Sequence, residues 1–133
     1  MTMTDQDQIR DLLASYALLL DAGDTASCTQ LFTADGEFEV YGAVRCGHDG
    51  IGAMFEQAPA GMHLTGVSQA EITGDTATGR AQVLFVNAAT HGMRLALYDD
   101  ELVRVDGRWR FRRRRCQFIT STGLSDTPEE IAQ

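Results

Sequence analysis

This sequence predicts an α+β domain, on three observations. Helical spacing of apolar residues occurs only before Pro59, and two-residue alternation fills the stretch from Met62 to Ile119. Tight turn signals, not helices, separate those later strands: Gly74-Asp75, Thr90-His91-Gly92 and Asp106-Gly107. Helices first and a meander of long strands afterwards do not fit an alternating parallel sheet. The 133 residues make one domain, 1–133, long enough to bury a core or enclose a small-molecule cavity.

Thr4-Asp5-Gln6-Asp7 reads as an N-cap with acids in the first turn. Ile9, Leu12, Leu13, Tyr16 and Leu20 then recur on one helical face. Ala17 to Leu20 is apolar on every side, which predicts deep covering of the helix end. Asp21 follows, just before Gly23, a residue suited to stop a helix. A carboxylate there meets the negative end of the helix dipole at a cost of roughly 0.3–1 kcal/mol. Asp21 is either a solvated acid or a carboxylate that holds a partner, a histidine first of all.

Asp24 caps a short second helix carrying Cys28, Leu31 and Phe32. Asp35-Gly36 reads as a turn into an alternating strand, Glu37 to Tyr41, ending at Gly42, with a short partner around Val44 to Cys46. Gly47-His48-Asp49-Gly50 opens a third helix with Ile51, Met54 and Phe55 inward, stopped by Pro59. The long strands are 62–73, 76–87, 94–105 and 108–119. Residues 120–133 form a polar C-terminal tail, loose or a short terminal helix.

The net charge of −8 argues against nucleic acid and anionic membranes as partners. All 11 basic residues are arginine, and six lie between Arg108 and Arg115. That run reads as a paired strand. A two-residue Asp106-Gly107 loop sets Glu101 opposite Arg112, Asp100 opposite Arg113 and Asp99 opposite Arg114. Tyr98, Asp100, Leu102, Trp109, Phe111, Arg113 and Arg115 then share the covered face, near a core or cavity. Arg110, Arg112 and Arg114 point outward with Cys116 and Phe118, and a bulge would exchange the two sets. Cys28, Cys46 and Cys116 show neither CxxC nor histidine spacing, so no metal site is expected. No secretory leader and no membrane-length apolar run is visible, which points to a soluble cytoplasmic protein.

Of the histidines, His91 sits in a turn, His48 precedes a helix it can cap, and His63 lies early in a long strand. From the residues alone His63 is either a satisfied structural histidine or a functional one. Tyr16 to Asp24, Leu31 to Gly36, Met62-His63-Leu64, Ile72 to Ala77 and Asp100 to Phe111 together resemble the SnoaL-like proteins of the nuclear-transport-factor-2-like superfamily. The resemblance runs over residues 5 to 119.

It implies a cone-shaped α+β barrel, a strongly curved, mostly antiparallel sheet wrapped around the long N-terminal helix, with a cavity between. Scytalone dehydratase, bile-acid 7α-dehydratase and hexachlorocyclohexane dehydrochlorinase are similar in placing an Asp at the end of the first helix and a His on the first long strand. Asp21 and His63 fall at those positions, and Tyr16 matches a tyrosine of the bile-acid dehydratase branch. The implied activity is a cofactor-independent lyase of the dehydratase type, or an isomerase, on a small, mostly apolar cyclic substrate. His63 would be the base, Asp21 its orienting partner and Tyr16 a donor. Asp100, Arg113, Arg115, Trp109, Phe55, Met54 and Asn87 are the expected substrate-binding set. Val67 replaces an asparagine of many relatives and is expected on the pocket floor. The alternatives are a non-catalytic ligand-binding or assembly protein of the same fold, and a cyclase or epoxide hydrolase using Asp100 with Arg113. Family likeness further implies a homodimer through the outer sheet face.

Overall fold

In the computed structural model, which describes residues 3–130, the N-terminal helix α1 (Asp5–Asp21) lies in the hollow of one seven-stranded sheet. Thr4 caps it by accepting from the Asp7 amide at 3.1 Å. Ile9, Leu12, Leu13, Tyr16 and Ala17 are its buried face. The last turn is less covered than its composition predicts. Leu18 is 70% exposed, because the back of the helix has no element over it at that level.

Asp24 accepts from the Ser27 amide to start α2 (Thr25–Thr29). Strand β1 (Phe32–Val40) passes straight through Asp35-Gly36, where a turn is predicted. The register against its neighbour breaks between Phe32 and Glu37 instead, so the signal marks a bulge. A Cβ at Gly36 would fall 2.9 Å from the Thr33 carbonyl oxygen, and glycine is what permits that approach. Tyr41 and Gly42, both at positive φ, turn the chain into β2 (Ala43–Cys46). Helix α3 (Gly47–Gln57) follows, with Ile51 and Phe55 buried and Met54 packed against the core.

Strands β3 (Gly61–Thr73), β4 (Thr76–Asn87), β5 (Met93–Val105) and β6 (Arg108–Thr120) are the predicted antiparallel meander. The sheet order is β2-β1-β6-β5-β4-β3, with β1 parallel to β6. The tail is not all loose: Gly123–Ser125 forms β7 against the end of β6. Its residues 131–133 lie outside the described range.

The hairpin at Asp106 (φ 52°) and Gly107 (φ 77°) is the tight turn its sequence predicts. Val105 opposes Arg108, and the register holds to Leu102 opposite Phe111. There it slips. Arg112 is an extra residue on β6, so Glu101 opposes Arg113, Asp100 opposes Arg114 and Asp99 opposes Arg115. The slip corrects the predicted faces. Arg114, Cys116 and Phe118 turn inward and are buried, while Arg113 and Arg115 reach Glu39 on the outer surface at 2.7 and 3.0 Å.

Arg114 is 1% exposed and lies in the middle of the core. Its guanidinium carbon stands 3.6, 4.3 and 4.5 Å from the ring centres of Tyr98, Tyr16 and Phe111. Its Nε is 3.0 Å from Asp100 Oδ1. Burial pushes the Asp100 carboxyl up to about 6, against the attraction of Arg114. This layer divides the hollow. On one side Ile9, Leu102 and Trp109 fill it, with the Trp109 indole donating to Asp5 at 3.0 Å. On the other side it is open.

Candidate functional site

Asp21 is the last residue of α1, and His63 is the third residue of β3. The two elements pack together, and at this end the contact between them is polar. The His63 backbone amide donates to both Asp21 oxygens, at 3.0 and 2.9 Å. Nδ1 of the ring lies 2.6 Å from Asp21 Oδ1. An ionised carboxylate only accepts, so Nδ1 carries a proton, and in the neutral imidazole Nε2 then keeps a free lone pair. These donors offset the unfavourable helix-end position of the acid. Both side chains are about one-fifth exposed, at 17% and 21%.

Gly61 sets the approach of β3 to β4. A Cβ there would meet the Val86 carbonyl oxygen at 2.3 Å and the Phe85 ring at 2.5 Å. That closeness brings the Phe85 ring onto His63, centroid to centroid 4.8 Å. His63 and Phe85 are direct cross-strand partners. Tyr16, four residues and about one helical turn before Leu20, faces His63 at a ring distance of 6.5 Å. Burial, with the nearby Tyr98, pushes the Tyr16 phenol well up, and Arg114 only partly opposes it. Its hydroxyl is therefore a proton donor throughout the physiological range.

These groups border a cavity of about 530 Å³. Its wall is mostly apolar, with Phe38, Val40, Val83, Ala96 and Phe118 among its members. The Cys116 thiol on the same wall is pushed up to about 11 by burial, which keeps it neutral and unreactive. Among the described residues, no three His, Cys, Asp or Glu side chains converge as metal ligands would. No described helix is long and apolar enough to cross a membrane.

Of the residues singled out from the sequence, Tyr16, His63, Met54, Phe55 and Asn87 line the cavity, and Asp21 backs His63. Asn87 uses its side-chain oxygen to hold the Ala89 and Thr90 amides. Asp100, Trp109, Arg113 and Arg115 do not line it. Asp100 is paired with Arg114 inside the core, Trp109 ties the hairpin to the start of α1, and the two arginines lie on the outer ladder. Val67 is 72% exposed beside the β3 bulge and forms no part of the floor. His48 Nε2 bonds the Phe32 carbonyl oxygen at 2.9 Å, a structural role. His91 occupies the β4–β5 turn at φ 61°.

Sequence reading missed Arg94, Phe85 and Arg45 as lining residues. Arg94 was findable, since it precedes the inward Tyr98 by four residues on one strand and so shares its face.

Comparison with known proteins gives the family and the fold. The model of the SnoaL-like domain matches residues 1–115. A variant of Rv3472, a function unknown protein from Mycobacterium tuberculosis, is 32% identical with a TM-score of 0.78, over 84% of this chain and 69% of that one. An NTF2-like protein with a cystatin-like fold from Novosphingobium aromaticivorans is 26% identical with a TM-score of 0.79, over 90% and 86%. ActVI-ORFA from Streptomyces coelicolor shares the fold at 24% identity and a TM-score of 0.72, over 84% and 95%. Among curated proteins none matches. On the family match, which spans most of its length, the chain belongs to the SnoaL-like domain family.

Proposed function

We propose that this protein is a cofactor-independent lyase of the dehydratase type, or an isomerase, for a small, mostly apolar cyclic molecule of steroid-like or polyketide-like size. The observation that carries the reading is His63, with Nδ1 held by Asp21 at 2.6 Å and Nε2 left free beside a cavity of about 530 Å³. Cavities of about 300–1,000 Å³ are usual for such ligands.

The Tyr16 hydroxyl donates to a substrate carbonyl. His63 Nε2 takes a proton from the adjacent carbon, an effect of about 10²–10⁴-fold. Asp21 stabilises the imidazolium that results. In dehydration the C–O bond then breaks, and the imidazolium proton leaves with the hydroxyl as water. In isomerisation the same proton returns to a different carbon. The hydrolytic alternative lacks support, since Asp100 is sealed in the core and Arg113 lies on the opposite side of the sheet. A filled cavity would favour a purely structural dyad. Here Met54 and Phe55 border the space without closing it.

The test is a panel of cyclic β-hydroxyketones and β,γ-unsaturated ketones in deuterated water. The wild type should incorporate deuterium next to the carbonyl or form the elimination or isomerised product. His63→Ala should do neither while unfolding within a few degrees of the wild type. Equal incorporation by the two proteins would remove His63 from the mechanism.

A homodimer through the outer sheet face belongs to the same proposal. The residues there are not the arginine series predicted from the unbulged register. Two cross-strand rows, Met62–Val86–Met93 and Leu64–Leu84–Leu95, lie outward, and Met62, Leu64, Met93 and Leu95 are exposed. Light scattering should give twice the 14.5 kDa chain mass, and Leu64→Lys with Leu95→Lys should give the single mass. A wild-type monomer at micromolar concentration would end the idea.

A further inference from the structure

We infer that the ligand carries an anionic group, such as a carboxylate or sulfonate, which Arg45 and Arg94 bind at the rim while its apolar body fills the cavity. The inference rests on the cavity reading above and adds a substrate class to it.

The charge of the lining is the first observation. The chain carries a net −8, yet its cavity is bordered by two arginines and by no aspartate or glutamate. Asp21 is the nearest functional carboxylate, and it is bound to His63 behind the wall.

The second observation is the state of those arginines. Arg10, Arg80, Arg104, Arg112, Arg113, Arg114 and Arg115 each face an acid within ion-pair distance. Among the described residues, Arg45, Arg94, Arg108 and Arg110 have no such acid, and of these four Arg45 and Arg94 line the cavity. Both are exposed, as rim residues reached by ligand and by water are.

Their placement is the third. Arg94 opposes Phe85, which opposes His63, so the three form one row across β5, β4 and β3. Two strand spacings, about 10 Å, separate the Arg94 backbone from that of His63. Arg45 stands opposite Phe38 on the β1–β2 pair. Each cation therefore neighbours an aromatic wall residue: aromatic surface for the body of the ligand, guanidinium for its end. Exposed charges bind weakly one at a time, but low-dielectric walls beside them focus the field onto an entering anion. The anion would also fix which carbon of the body lies against His63 Nε2.

Two fluorescent probes with the same ring system provide the test: 8-anilinonaphthalene-1-sulfonate and the neutral N-phenyl-1-naphthylamine. The wild type should bind the sulfonate about tenfold more tightly, a margin that shrinks in high salt. Arg45→Gln with Arg94→Gln should lose the margin and keep its affinity for the neutral probe. The His63 ring-proton resonances should move on binding either probe. Equal affinities in the wild type, or a margin that survives the double replacement, would overturn the anionic assignment and leave the cavity standing. Binding that leaves the His63 resonances unmoved lies outside the cavity and overturns it too. If neither probe binds, the anionic assignment falls, and the lyase reading rests on the substrate panel alone.

Discussion

An Asp21→Asn protein should still fold and lose turnover by on the order of 10²–10⁴-fold. The magnitude follows from how the carboxylate is used. Both oxygens accept from the His63 amide, and one also accepts from Nδ1. An asparagine can be placed in two ways, and both set its NH₂ against the backbone donor at about 2.9–3.0 Å. In one of them the NH₂ also faces Nδ1, which forces the proton onto Nε2 and removes the base. In the other the tautomer survives, but the imidazolium loses its counter-charge. A stability loss of about 1–3 kcal/mol accompanies either, through the donor-to-donor contact of the new NH₂ with the His63 amide. Single-turnover rates with a substrate found in the panel, together with thermal unfolding, separate the effects. Near-wild-type turnover would show that the carboxylate only anchors the strand.

Arg114→Met should destabilise the fold by about 3–5 kcal/mol. It leaves Asp100, 5% exposed, without its cation, and it empties the space between the Tyr98 and Tyr16 rings. The loss depends on pH, with a definite sign. Asp100 holds its proton more tightly when folded, at about 6, than when unfolded, at 3.8. Its favourable contribution is therefore complete below about pH 4 and disappears as pH rises through about 6. Without Arg114 that folded value climbs further, so the deficit against wild type is larger at pH 8 than at pH 4.5. Urea denaturation at the two pH values measures it. Adding Asp100→Leu should restore much of the stability, since a buried pair replaced by apolar groups is often neutral. A deficit that is the same at both pH values would show that the lost packing, not the stranded carboxylate, dominates.

Much of the frame was legible. The Thr4 cap, the Asp106-Gly107 turn and the four long strands follow from local chemistry that no tertiary contact overrides. Asp21 and His63 could be paired only through family likeness, because nothing local links positions 42 residues apart. The arginine faces failed for a specific reason. Four consecutive arginines, Arg112 to Arg115, contain no apolar residue to show which is the extra one. A parity signal was nonetheless present. Trp109 and Phe111 are odd-numbered and inward, Cys116 and Phe118 even-numbered and inward, so one surplus residue had to lie between them. Asp35-Gly36 carries the same lesson, since Phe32 and Phe38 keep one parity across what local chemistry calls a turn. Strand β7 has a single large apolar residue, Leu124, and pairing with β6 alone defines it.

The bond from the His63 main chain to Asp21 bears on how such proteins diverge. A backbone amide is supplied by every residue except proline, so the aspartate keeps its anchor whatever side chain succeeds the histidine. If the proposed chemistry holds, a descendant that abandons it can lose the imidazole at once and still need the acid to seat helix on strand. In a lineage sharing this architecture, the aspartate would then mark the scaffold and the histidine the reaction. A member with the acid and no imidazole would be a binder descended from a catalyst.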